Sequence, residues 1–96
     1  MPANSKAITG SLSSLNDVTG SLIMRGGPPV VFNFSISGTF VGTVAIQRLF
    51  SGSTWLDVKT YTAPAEEIGT EPENDVLYRL KMIASTSGTA VVRLSY

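Results

Sequence analysis

Residues 38–61 read GTFVGTVAIQRLFSGSTWLDVKTY and alternate in type with a period of two. Val44, Ile46 and Arg48 interleave with Thr43, Ala45 and Gln47, which sends successive side chains to opposite faces of an extended chain. Ser51-Gly52-Ser53 interrupts the pattern with residues that suit a tight turn. Thr54, Trp55, Val58, Thr60 and Tyr61 resume it with β-branched and aromatic residues that fit a pleated, half-buried surface. The stretch predicts a β-hairpin with Trp55 as a large core anchor just past the turn.

The same period recurs on both sides. Val30, Phe32, Phe34 and Ile36 alternate with Val31, Asn33, Ser35 and Ser37, a strand with one buried face. Val76, Tyr78, Leu80, Met82 and Ala84 alternate with Leu77, Arg79, Lys81, Ile83 and Ser85. Past Ser87-Gly88, Ala90, Val92 and Leu94 alternate with Val91, Arg93 and Ser95, which predicts a closing hairpin. Phe32, Phe34 and Tyr78 fall on the apolar phase and join Trp55 as expected core anchors.

Residues 63–75 carry two prolines, a glycine and five carboxylates, which predicts a connection with at most a short strand near Ile68. Before Gly26-Gly27-Pro28-Pro29 the signal is weak. Residues 7–12 and 21–25 read as strands, because Gly10, Gly20 and the β-branched residues oppose a helix. A competing expectation is that residues 1–27 form an arm reaching a neighbouring subunit. Together these features predict an all-β protein, an antiparallel β-sandwich of about seven strands. Residues 28–96 would form the sandwich domain, with residues 1–27 its arm or its first strands.

Composition narrows the function. Seven basic and seven acidic residues cancel, so neither nucleic acid nor an anionic membrane is an expected partner. With no cysteine and no histidine, disulfides, thiolate metal sites and the commonest general base are absent. No stretch approaches the ~18 apolar residues of a membrane span, and the first residues lack the apolar run of a signal peptide. Glu66, Glu67, Glu71, Glu73 and Asp75 are the one dense carboxylate cluster. Its spacing matches no calcium loop and Pro72 interrupts it, so a solvated loop is expected rather than a site. No serine sits in a strand-turn-helix elbow beside a base. The chain is expected to be no enzyme and to hold no cofactor or metal. Tyr61 and Tyr96 are left over from the core pattern as candidate contact residues.

Two segments, GTVAIQRLFSGSTWLDV and EPENDVLYRLKMIA, resemble a fibronectin type III or immunoglobulin-like sandwich. Tyr78 after Glu71-Pro72 is similar to the tyrosine corner, whose phenol bonds back to upstream backbone. In order, the blocks GTFVGTVAIQR, GSTWLDV, EPENDVLYRL and SGTAVVRLSY resemble small β-sandwich virion proteins of tailed bacteriophages, over nearly two thirds of the chain. That resemblance implies a structural protein made in the host cytoplasm and carried in the virion. It implies a head decoration or cement protein, homo-oligomeric and bound to the major capsid protein or other virion proteins. The alternatives are a tail or baseplate component, or a carbohydrate-binding adhesion module acting through Tyr61 and Tyr96. Val31, Val41, Leu49, Leu77 and Ile83, on the odd phase, are the candidate interface, against the alternative of scattered surface hydrophobicity.

Overall fold

The computed structural model describes residues 6–27 and 29–96. Among these residues eight strands follow one another: β1 (Ala7–Leu12), β2 (Leu22–Met24), β3 (Val30–Ser37), β4 (Phe40–Leu49), β5 (Leu56–Tyr61), β6 (Ala65–Glu71), β7 (Val76–Gly88) and β8 (Ala90–Ser95). They form two antiparallel four-stranded sheets, β1-β8-β3-β6 and β2-β7-β4-β5, packed as a sandwich. The fold class is the expected one, with one strand more than the sequence pattern predicts.

The alternating phases explain the core. Val30, Phe32, Phe34 and Ile36 of β3 face Val76, Tyr78, Leu80 and Met82 of β7, with Val44 and Ile46 of β4 and Ala90, Val92 and Leu94 of β8 between them. Removing each large side chain from water stabilises the fold by roughly 1.5–3 kcal/mol before entropy is counted. Two aromatic contacts cross between the sheets. Phe32 and Tyr78 lie 4.7 Å apart, and the Phe34 ring meets Tyr61 edge-on at 5.7 Å.

The closing hairpin is not formed. β7 and β8 lie in different sheets, and β8 pairs instead with β1 and β3. β3 and β4 likewise change sheets, and the two crossings touch, with Thr89 N–H donating to the Thr39 carbonyl at 2.9 Å. Gly38 and Gly88 make this corner with φ of +91° and +81°. A Cβ on Gly88 would run into the Thr39 carbonyl oxygen, and one on Gly38 would lie 2.6 Å from that of Thr89. Ser87-Gly88 shows that the chain turns there. It does not show whether the next strand lies beside its predecessor or across the core, because both arrangements bury the same phase.

The N-terminal region belongs to the sandwich. β1 pairs with β8 and β2 with β7, and Leu12 and Met24 are fully buried. Between them the chain runs along the edge of β7: Thr19 N–H donates to the Leu80 carbonyl, and Leu80 N–H donates to Thr19 Oγ1. Asp17 Oδ2 accepts from the backbone N–H groups of Ser13 and Ser14, which sets the turn leading there. Residues 6–27 thus hold β1 and β2, one strand of each sheet. The first five residues and Pro28 lie outside the described residues. The short strand expected near Ile68 within residues 63–75 is β6, longer than the pattern suggests and paired with β3 from Val30↔Glu71 to Ile36↔Ala65. Its glutamates and glycine hide it from a propensity reading, yet one neighbour suffices for an edge strand.

Candidate interaction surface

Of the four expected core anchors, Phe32, Phe34 and Tyr78 are buried and Trp55 is not in the core. Trp55 is half-buried and covers the Arg79 guanidinium at 4.2 Å. Arg79 in turn donates to Gln47 Oε1 at 2.8 Å, and Gln47 donates to Asp57 Oδ1 at 2.8 Å. The tryptophan therefore roofs a polar row: the bulge in β5 puts Asp57 on the outer face with Gln47 although Lys59 and Tyr61, of the same odd phase, face inward, and Trp55 lies two residues before Asp57.

Glu71, expected to be solvated, is fully buried. It ends β6, opposite Val30, where it faces Arg48 and Tyr78, which are themselves paired across β4 and β7. Arg48 Nε donates to Oε1 at 2.6 Å and Nη2 to Oε2 at 2.8 Å. Tyr78 donates its phenol proton to Oε1 at 2.8 Å, and Glu73 N–H donates to Oε2 at 3.0 Å. Arg48 holds the Glu71 carboxyl below its ordinary range, assisted by Tyr78 and the Glu73 amide, against the opposing effect of burial. Burial, and then the bond to Glu71, pushes the Tyr78 phenol up to about 12. Tyr78 thus closes a corner resembling the tyrosine corner, but onto a carboxylate rather than backbone. Every donor here points at one anion, so the group acts as a clasp between sheets rather than as a base awaiting a proton.

The remaining carboxylates are scattered. Glu67 accepts from Lys59 Nζ at 3.0 Å and from the Tyr61 hydroxyl, and Asp75 pairs with Arg25 at 2.7 Å on the surface. The bond from Tyr61, and then Lys59, lowers the Glu67 pKa, whereas burial raises that of Tyr61. Among the described residues no three acidic side chains gather where they could hold a metal ion. Tyr96 donates to the Ile23 carbonyl at 2.8 Å and accepts from Arg25 N–H. Both tyrosines left free by the sequence pattern are therefore partly buried and engaged.

The expected interface is divided. Val31 lies in the first sheet, whereas Val41, Leu49, Leu77 and Ile83 lie in the second. Leu49 and Leu77 are directly opposed and half-buried, and Val41 is eight residues along β4, roughly 26 Å away. No single partner surface covers all five.

A contiguous apolar surface exists elsewhere, along the side where β5 and β6 are the outermost strands of their sheets. Phe50, Leu56, Val58 and Ile68 are each more than half exposed there. β5 bulges, since Ile46 opposes Lys59 while Gln47 opposes Asp57, and Val58 is left without an opposite residue. Lys59 and Tyr61 reach across to Glu67, while Leu56, opposite Arg48, and Val58, opposite no residue, stay exposed. A depression of about 420 Å³ lined by Arg48, Phe50, Ser51, Thr54, Leu56 and Val58 adjoins a second of about 210 Å³ that reaches Ile68 and Gly69, with Val58 common to both. Arg48 joins clasp and surface, because its guanidinium also lies 4.8 Å from the centre of the Phe50 ring. Alternation alone conceals this strip: the bulge puts Leu56 opposite Arg48 and Lys59 opposite Ile46, on one face although they are three residues apart.

No protein-family model, curated protein or solved structure matches this chain.

Proposed function

We propose that the chain is a non-enzymatic structural protein of a bacteriophage virion, of the head decoration type, which docks on the capsid through its β5–β6 side. The observation that carries the reading is the strip of Phe50, Leu56, Val58 and Ile68 along the β5–β6 side of the sandwich. Large apolar side chains grouped beside shallow depressions fit a protein partner better than a small substrate. The resemblance of the four sequence blocks to tailed-phage virion sandwiches supplies the partner class. The adhesion reading loses its support, because Tyr61 and Tyr96 are held by Glu67 and Ile23 instead of standing as stacking platforms.

Co-sedimentation with empty phage heads tests this. The native chain should pellet with heads, and Leu56→Lys with Val58→Lys should weaken binding by about tenfold or more, with the melting temperature little changed because both positions are exposed. Binding to isolated tails but not heads, or glycan-array binding without head binding, would replace the decoration reading.

A further inference from the structure

We propose that the free edge of β1 pairs with β1 of a second copy of this chain, joining two first sheets into one continuous sheet about a two-fold axis at Thr9. This rests on strand geometry and does not depend on the virion reading. Among the described residues β1 pairs only with β8. Lys6 and Tyr96 exchange both backbone bonds, Lys6 N–H to the Tyr96 carbonyl at 2.8 Å and Tyr96 N–H to that of Lys6 at 2.9 Å. In an antiparallel ladder such pairs alternate with pairs whose polar groups point away. Ile8, Gly10 and Leu12 therefore bond to β8, whereas Ala7, Thr9 and Ser11 present their N–H and C=O groups at the open edge.

Every other edge carries a feature that opposes self-pairing. β5 has the bulge at Val58 and the charges of Asp57 and Lys59. β6 bears Glu66, Glu67 and Glu71, so a second β6 would bring carboxylates together. β2 is three residues long. β1, AITGSL, has no charge, no proline and no bulge over six residues. Paired antiparallel about Thr9, its outward-pointing groups match: Thr9 meets the other Thr9 and Ala7 meets Ser11, each pair exchanging both N–H···O=C bonds. Ile8 comes opposite Gly10, where there is no side chain to collide with. The nearest like charges at the centre are the two copies of Arg93, paired with Thr9 on β8 and three strand spacings apart, about 14 Å, beyond a Debye length of about 8 Å at physiological salt.

Sedimentation velocity over a concentration series tests the pairing. A six-residue edge buries less than a standard interface, so a dimer with a dissociation constant of order 10 µM is expected. Thr9→Pro removes an N–H that β8 does not use and should give a folded monomer. Thr9→Lys sets two ammonium groups face to face at the axis and should also give a monomer, which keeps the test decisive if the proline variant does not fold. A native chain that is monomeric at about 100 µM overturns the proposal. So does a dimer that survives Thr9→Lys, growth into longer polymers, or an edge that accepts a strand only from another protein.

Discussion

Arg48 and Glu71 meet fork to fork across the sandwich, Nε on Oε1 at 2.6 Å and Nη2 on Oε2 at 2.8 Å, one on β4 and the other at the end of β6. The Glu71 side chain is 0% exposed and the Arg48 side chain 29%. That asymmetry decides which partner the fold misses more. A half-wet guanidinium left alone can recruit water, whereas a buried carboxylate left alone cannot.

Arg48→Met should therefore destabilise by about 3–5 kcal/mol, because it strands a buried charge. Glu71→Gln should cost less, about 2 kcal/mol, since the amide still accepts from Tyr78. Combining Arg48→Met with Glu71→Leu should recover most of the Arg48→Met loss. Urea unfolding of the three variants checks the order. By contrast, Glu66→Gln should be nearly silent, since Glu66 is exposed and makes no ion pair among the described residues.

The clasp also sets the pH range. Glu71 has its pKa lowered on folding from an ordinary 4.5, so its contribution is full above that value and is lost as pH falls through the folded pKa. Tyr78 is raised from 10.0 to about 12, so its contribution is full below pH 10 and is lost as pH rises through the folded value. Stability should hold level from about pH 5 to 9 and fall on both sides. Glu71→Gln should shrink the acid limb, leaving the part due to Glu67, and Tyr78→Phe the alkaline one, leaving the part due to Tyr61, in denaturation midpoints measured across pH.

Trp55→Ala should cost only about 1–2 kcal/mol, the loss of half-buried area and of the cation–π contact with Arg79. A core tryptophan would cost about 3–5 kcal/mol. The melting temperature of the variant separates the two ranges.

Deleting residues 1–20 should abolish folding. It removes β1 and the segment that satisfies Leu80 and Met82 at the edge of β7, and with them the fully buried Leu12. Loss of cooperative thermal unfolding is the expected result; a folded, soluble remnant would show that β8 and β7 tolerate bare edges.

Single-residue alternation was enough to establish the β class, strands β3, β4, β7 and β8, and the buried phase holding Phe32, Phe34 and Tyr78. Each of these follows from neighbours two residues apart, a relation written along the chain. Tertiary structure alone decided what depends on residues distant in sequence. Gly38 and Gly88 form arches rather than hairpins because their crossings pack on each other. Glu71 is a clasp because Arg48 and Tyr78 converge on it from the other sheet, whereas its sequence neighbours Pro72, Glu73 and Asn74 indicate only a polar loop. The contact strip depends on a bulge at Val58 that puts Leu56 and Lys59, three residues apart, on one face, and a bulge is a relation between two strands. Local pattern records which side chains share a face; only the pairing of strands determines which face meets the core, a partner or water.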